Sequence, residues 1–236
     1  MYGDKVRDGR NCMKAKNYAI VSVVLSTLLM CVVDGIWQPP YLYKSIIKIG
    51  LFLLLPMLYF LLYRGKAVHL KKLFSFRGRD GLIALVLGVG VFTVVLGVYF
   101  LLGDYIDLSG IRDSLTGGTG VTAENFIYVA VYISFVNSLL EEFFFRGFAF
   151  LTLKKEAGRR FAYLFSAAAF ALYHVGMTGG WFNIWIYLLA MAGLAIGGCI
   201  FNFLNERSES IYPSWIVHMF ANFAINTVGL ILFGIL

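Results

Sequence analysis

The segment EEFFFRG, residues 141–147, places two glutamates and an arginine inside an apolar run that extends from about residue 125 to about residue 153. A helical run of this length can cross a bilayer. An ionisable side chain at the centre of a membrane helix costs about 2.5–3.5 kcal/mol on insertion scales, and such residues usually face the protein interior and mark a functional site. This segment therefore predicts both a membrane fold and a buried site.

Helical spacing assigns different surroundings to the two glutamates. Glu142 and Arg146 are four residues apart and share a helix face, so they are predicted to pair as a structural support. Glu141 points about 100° away from that face and shares its own face with Asn137. We therefore expect one neutralised carboxylate and one carboxylate that is free for chemistry. The alternative is a purely structural ion pair that locks helix packing, beside a spare glutamate in a polar cavity.

The composition extends the membrane assignment to the whole chain. Of its 236 residues, 60% are hydrophobic and only 14% are charged, and the mean hydropathy is +0.79. This composition excludes a soluble domain and predicts one integral membrane domain over residues 1–236, an all-α bundle of transmembrane helices. The predicted spans are residues 18–37, 45–63, 81–103, 125–152, 161–177, 183–204 and 211–236.

Two local features bear on how the spans form and pack. Pro39, Pro40, Lys48 and Pro56 interrupt the second apolar run, which leaves six or eight spans open beside the favoured seven. In span six, residues 193–197 begin and end with glycine. Two small residues at this spacing are typical of close packing between membrane helices.

The charge distribution predicts the orientation of the bundle. A net charge of +7 would suggest nucleic acid in a soluble protein. Here, sixteen of the twenty Lys and Arg residues fall in the N-terminal segment and in the alternate loops on its side. The positive-inside rule then places the N-terminus in the cytosol, and no nucleic-acid partner is expected. The basic loop 64–80, in which Leu and Phe alternate with Lys and Arg, is a candidate contact with anionic membrane lipid.

Two further spans carry polar side chains at four-residue spacing. Span five contains Phe170 and His174, and span seven contains His218 and Asn222. At the helical rise, Glu141 and Asn222 lie about 16 Å, His174 about 20 Å and His218 about 10 Å from the predicted cytosolic ends of their spans. These four polar groups are therefore predicted to meet in one layer in the cytosolic half of the bilayer.

The three motifs together resemble those of a known family. EExxxR at residues 141–146, FxxxH at 170–174 and HxxxN at 218–222 are similar to the motifs of the CAAX protease and bacteriocin-processing (CPBP, or Abi) family of intramembrane endopeptidases. That family includes the type II CAAX prenyl endopeptidases. Each motif is weak alone, but their order and their separate spans make a specific signal. The resemblance covers about residues 121–230 as a catalytic core and leaves residues 1–120 as variable N-terminal spans.

The resemblance implies a protease that hydrolyses peptide bonds with an activated water. The implied catalytic residues are Glu141 as general base, His174 as its assistant, and His218 and Asn222 as donors to the oxyanion. The Glu142–Arg146 pair would then hold Glu141 in place. Direct activation of water by a carboxylate agrees with the residues themselves, because no Ser–His or Cys–His pairing is evident at these depths.

The metal requirement has two readings. Glu141, His174 and His218 form a plausible zinc set with an open position for water, and the family is often labelled a metalloprotease. The two histidines come from separate helices, however, unlike those of HExxH, and Asn222 suits an oxyanion better than it suits zinc. Metal-independent glutamate catalysis without a cofactor is favoured here, with zinc as the alternative.

The expected partners are membrane lipid and a peptide or membrane-protein substrate, lipidated or not. CAAX-type substrates are prenylated, whereas bacterial members of the family more plausibly process short peptide precursors. The expected location is the plasma membrane of a prokaryote. The rival interpretation from another class is a non-catalytic membrane protein of the bacteriocin self-immunity type, in which the motif residues serve only packing.

Overall fold

The computed structural model describes residues 2–63, 70–111 and 120–236, with side chains from residue 13 onward. Of the described residues, 86% are helical, and none of them forms a strand. In this described part of the chain, seven helices are long and apolar enough to cross a membrane, which confirms the all-α fold and the favoured number of spans. These spans, numbered one to seven below, are Met13–Trp37, Tyr41–Leu62, Gly78–Tyr105, Phe126–Ala157, Arg159–Thr178, Ile184–Ser208 and Tyr212–Leu232.

Several spans are composed of more than one helical type. The α-helical segments are Tyr2–Val32, Tyr41–Ile49, Leu55–Leu62, Leu70–Leu73, Gly78–Leu102, Phe126–Tyr132, Ser138–Glu141, Leu153–Ala157, Arg159–Thr178, Ile184–Ser208 and Tyr212–Leu232. The wider π-helical segments are Val33–Trp37, Gly50–Leu54, Ile133–Asn137 and Glu142–Thr152, and Gly103–Tyr105 is a 3₁₀ turn. Two of the four π-helical segments lie in span four, which carries the EEFFFRG sequence.

The second apolar run forms one span, so the alternatives of six and eight spans are wrong. Gln38 adopts a left-handed conformation at the end of span one, and Pro40 caps the start of span two. Pro56 lies inside span two, two residues after the end of the π-helical segment Gly50–Leu54. A proline lacks the N–H that its helix position requires and crowds the preceding turn, and a wider turn accommodates both effects.

Span four lies at the centre of the bundle, since every residue from 140 to 153 is buried. The ring of Phe144 stacks on Phe52 of span two with centroids 4.1 Å apart. Phe148 meets Tyr59 of the same span edge to face at 5.2 Å. Such aromatic pairs are favourable beyond the area that they bury. Span two is therefore fixed against span four, and this contact brings its polar residues to the site described below.

Close contacts of glycine hold span five against span one. A Cβ atom added to Gly176 would lie 2.5 Å from the carbonyl oxygen of Cys31, and one added to Gly35 would lie 3.2 Å from Gly176. Only glycine allows the two backbones to approach so closely. The small-residue pair of span six behaves differently, because a Cβ atom at Gly193 or Gly197 would meet no atom of another described span within 4 Å. The predicted role of that pair in packing within this chain is wrong.

The contact between spans five and six uses the neighbouring glycine instead. A Cβ atom at Gly198 would approach the Cα atom of Ala167 to 3.0 Å.

The orientation of the bundle in the membrane stays a prediction. Residues 64–69 of the basic loop lie outside the described residues, so contact of this loop with lipid stays a prediction as well.

Candidate active site

The backbone of span four changes its helical type at the two glutamates. Glu141 ends a short α-helical segment, and Glu142 begins a π-helical segment that continues to Thr152. The Thr152 hydroxyl donates to the carbonyl oxygen of Gly147 at 2.9 Å, five residues back within this segment. Single π turns occur frequently at functional sites. The four-residue spacing predicts a regular α-helix here, whereas the structure has a wider helix after Glu141. Both glutamates are buried.

Three side chains donate to one oxygen of Glu141. Its Oε1 accepts hydrogen bonds from Asn137 Nδ2 at 2.8 Å, from Lys48 Nζ at 3.0 Å and from the Tyr173 hydroxyl at 3.3 Å. The shared face of Asn137 and Glu141 is thus observed as expected. The expectation that Glu141 has no cationic partner is wrong, because Lys48 of span two pairs with it. The sequence pattern indicates Lys48 only as an interruption of the second run.

The other oxygen of Glu141 faces His218. Glu141 Oε2 lies 3.8 Å from His218 Nε2, which is too long for a direct hydrogen bond. The two oxygens of this carboxylate therefore have different surroundings. Oε1 is held by three donors, and Oε2 is directed at an imidazole across a gap.

Glu142 contacts three side chains, those of His218, Ser214 and Arg146. Its Oε1 lies 2.9 Å from Nδ1 of His218, and its Oε2 accepts a hydrogen bond from the Ser214 hydroxyl. Asn205 of span six donates in turn to Ser214 at 2.5 Å. A carboxylate beside Nδ1 makes that nitrogen the protonated one, so the neutral ring of His218 presents a lone pair at Nε2. Glu142 thereby orients His218 toward Glu141.

The predicted pair between Glu142 and Arg146 is present but long. Arg146 Nε lies 3.4 Å from Glu142 Oε2, and both side chains are fully buried. Within the described part of the chain, the guanidinium nitrogens have no hydrogen-bond partner. The guanidinium carbon lies 4.0 Å from the ring centroid of Phe170 and 4.9 Å from that of Phe201. Aromatic faces therefore stabilise this cation together with the carboxylate.

His174 lies in span five beside Tyr173 and within electrostatic range of Glu141. Its Nδ1 lies 2.7 Å from the carbonyl oxygen of Phe170, one turn earlier. A carbonyl oxygen only accepts, so Nδ1 carries the proton and Nε2 presents a lone pair. The FxxxH motif thus has a physical basis: its first residue supplies the backbone carbonyl that fixes the tautomer of the histidine.

Asn222, the fourth predicted site residue, binds the backbone of span four. Its amide donates to the carbonyl oxygen of Ile133 at 3.3 Å, about two turns before Glu141 in span four. Asn226 continues the same stripe and donates to the carbonyl oxygen of Ala130 and the hydroxyl of Ser134. Both amides therefore tie span seven to span four. The role of Asn222 at the oxyanion stays a prediction.

The arrangement does not fit the zinc set of the alternative interpretation. Among the described residues, no group of three His, Cys, Asp or Glu side chains is spaced to hold a metal ion. The ammonium of Lys48 already contacts Glu141 and would repel a second cation there. The requirement for metal stays a prediction.

Comparison with protein-family models matched residues 123–224 to the family described as Type II CAAX prenyl endopeptidase Rce1-like. This segment belongs to the CAAX protease family. The resemblance that the three motifs indicated is thereby confirmed. Comparisons with curated proteins and with solved structures found no match. At the level of the family, this match over residues 123–224 supports a CAAX-type intramembrane protease.

The segment that matches the CAAX protease family contains the four predicted catalytic residues, but it does not contain every residue of the site. Lys48 comes from span two, outside residues 123–224. Tyr173 and Ser214, which bind the two glutamates, lie inside it and were missed. The sequence held one usable signal for Lys48, because a cation inside a span normally has a buried partner. Nothing in the sequence singled out Ser214.

Proposed function

We propose that this protein is an intramembrane endopeptidase in which Glu141 activates the water that attacks the scissile peptide bond. The observation that carries the proposal is the difference between the two oxygens of Glu141. Three donors hold Oε1, whereas Oε2 faces Nε2 of His218 across 3.8 Å. A gap of this size between two polar atoms is one at which a water can sit against both. A base must lie within hydrogen-bond reach of the proton that it takes.

In the proposed reaction, the water oxygen bonds to the scissile carbonyl carbon while Glu141 Oε2 takes the water proton. The electron pair of the carbonyl bond moves to its oxygen and forms the oxyanion. Collapse of this intermediate breaks the C–N bond, and the leaving amine takes the proton back from Glu141. One peptide bond and one water become a carboxylic acid and an amine, and the glutamate is restored.

The histidines have distinct roles in this proposal. His174 presents a lone pair at Nε2, because Nδ1 donates to Phe170, so it accepts a hydrogen bond from the attacking water and orients it. His218 donates to the oxyanion as an imidazolium: Nδ1 donates to Glu142, and Nε2 carries a second proton that is bound before the reaction and stays on the ring throughout. Asn222 supplies a second donor through the amide hydrogen that does not bind Ile133.

The proposed substrate is a membrane-associated peptide or protein, lipidated or not. Its support is the family itself, whose description specifies prenyl endopeptidases, together with a site buried between membrane spans. The site in the structure does not distinguish a prenylated C-terminal peptide from a shorter precursor peptide. Both classes of peptide are therefore offered to the protein in the test below.

The proposal is tested by offering matched prenylated and unprenylated peptides to the protein in proteoliposomes and identifying the products by mass spectrometry. We expect the wild-type protein to cleave at least one class and Glu141→Gln to cleave neither. Glu209→Gln is the matched control, because Glu209 pairs with Lys72 at the surface, where an ion pair contributes little. Equal cleavage by wild type and Glu141→Gln would contradict the proposal and support a scaffold.

A further inference from the structure

Lys48 has an unusual position for a cation. It lies within span two, with 4% of its surface exposed, among aromatic rings that include Phe52 and Tyr173. Its ammonium donates to Asn137 Oδ1 at 2.6 Å and to Glu141 Oε1 at 3.0 Å. A charge at this depth persists only when a partner compensates for the lost hydration. The partner here is the residue proposed as the general base.

We infer that Lys48 is a positioning residue of the hydrolytic site, an inference that rests on the proposed function of Glu141. The ammonium, the Asn137 amide and the Glu141 carboxylate form a closed ring of hydrogen bonds. Asn137 accepts from Lys48 through Oδ1 and donates to Glu141 through Nδ2. Both ends of the amide are therefore used, and its orientation follows from the two charged neighbours.

This ring acts on the base in two ways. It fixes Oε1, so the carboxylate cannot rotate and Oε2 stays directed at His218. It also supplies a positive charge that keeps the carboxylate ionised in apolar surroundings, as a base requires. Lys48 does not contact the reacting atoms in this scheme, because it binds the oxygen opposite to the one that takes the proton.

The inference gives the N-terminal spans a part in the chemistry. The sequence resemblance treats residues 1–120 as variable, and the family match begins at residue 123. Span two nevertheless completes the surroundings of Glu141, and the stack of Phe52 on Phe144 fixes Lys48 at its depth. The proposed site is thus assembled from spans two, four, five and seven.

The test compares Lys48→Met with Lys44→Met in the full-length protein in proteoliposomes. Lys44 lies one turn earlier in span two and pairs with buried Asp34 at 2.6 Å, so its loss removes a comparable ion pair without touching Glu141. We expect Lys48→Met to lower kcat about 10²-fold, the typical effect of a misplaced catalytic group, while KM changes by less than about threefold. Lys44→Met is expected to leave both constants unchanged. Folded yield is measured for each variant.

Two further variants keep the test decisive if methionine prevents folding. Lys48→Arg retains the charge and Lys48→Gln retains only a donor, so we expect Arg to keep more of kcat than Gln. Wild-type kcat in Lys48→Met, or equal kcat in the Arg and Gln variants, would overturn the inference and leave Lys48 a purely structural residue. Glu141→Gln is assayed alongside. If it is inactive while Lys48→Met is fully active, only the inference on Lys48 fails, and if it is active the proposed function fails as well.

Discussion

Oε1 of Glu142 lies 2.9 Å from Nδ1 of His218, so the second glutamate of the motif orients a histidine of the site as well as pairing with Arg146. There is therefore a division of roles between the two adjacent carboxylates, because each one faces a different nitrogen of His218. Glu142 acts on Nδ1 of the ring, and Glu141 faces Nε2 of the same ring. A role for the double glutamate follows: one residue prepares the imidazole that the other one faces.

Replacement of Glu142 tests this division. We expect Glu142→Gln to lower kcat about 10²-fold, because the ring of His218 loses the carboxylate that orients it. Ser214→Ala removes another partner of the same carboxylate without touching the histidine, so its effect on kcat should be smaller. Steady-state rates on folded protein give the comparison. Equal losses in the two variants would contradict an orienting role for Glu142.

Replacement of Arg146 tests structural support. Arg146→Ala leaves Glu142 without its buried cation and removes the group packed between Phe170 and Phe201. Breaking a buried pair by removing one partner typically costs about 3–5 kcal/mol. We expect a large loss of folded protein in detergent, measured by size-exclusion chromatography and thermal unfolding. Arg160→Ala, at an exposed position near the start of span five, is the matched control. Full stability of Arg146→Ala would show that the assigned support is wrong.

Replacement of two glycines tests the packing of the bundle. A Cβ atom at Gly176 would meet the backbone of Cys31 at 2.5 Å, so Gly176→Ala must push spans one and five apart. Overpacking of this kind typically costs about 1–3 kcal/mol. Gly193→Ala adds the same methyl group where no other span of the described structure lies within 4 Å, and we expect it to be nearly neutral. Thermal unfolding in one detergent compares them, and equal stabilities would contradict the observed contact.

Much of the fold could be predicted from the sequence, because the thickness and apolar interior of the bilayer determine both the length and the hydropathy of each span. The seven predicted spans agree with the seven observed ones, and the four-residue spacing of Asn137 and Glu141 predicted their shared face. Contacts within one helix follow from its period alone. The positions of the proposed catalytic residues in three separate spans were likewise readable from their motifs.

The missing parts of the site depend on contacts between helices, which a single sequence does not specify. Lys48 meets Glu141 only because span two packs against span four through Phe52 and Phe144. The π-helical turns that begin at Glu142 have no distinct sequence period. The glycines of span six show the same limit: the spacing of Gly193 and Gly197 indicated packing, but only neighbouring backbones decide which glycines are in contact.

The orientation of the bundle is tested with topology reporters. The basic residues on one side predict that the loop between spans two and three is cytosolic and that the loop between spans three and four is external. A reporter fused after residue 80 should therefore read as cytosolic, and one placed in the loop between spans three and four should read as external. The reverse result would place the site in the other half of the bilayer, and the same side for both would contradict the map of spans.

The metal requirement is tested by analysis of purified protein. A metal-independent glutamate mechanism predicts no stoichiometric zinc and full peptide cleavage after prolonged chelation. A zinc site instead predicts roughly one metal ion per chain, which His174→Ala or His218→Ala would remove. Metal content measured on the same preparations that are assayed for cleavage separates these results. Activity that is lost on chelation and restored by zinc would contradict the metal-independent mechanism.

The central claim is that the carboxylate of Glu141 takes the proton from the attacking water. Its most direct test is the single-turnover rate of peptide cleavage by Glu141→Gln at saturating enzyme, beside the wild type. Glutamine keeps the size of the side chain and hydrogen bonds to it but cannot act as the base. We predict a loss of about 10²–10⁴-fold with normal folded yield, the range expected when general base catalysis is removed. A rate within a few fold of the wild type would contradict the account.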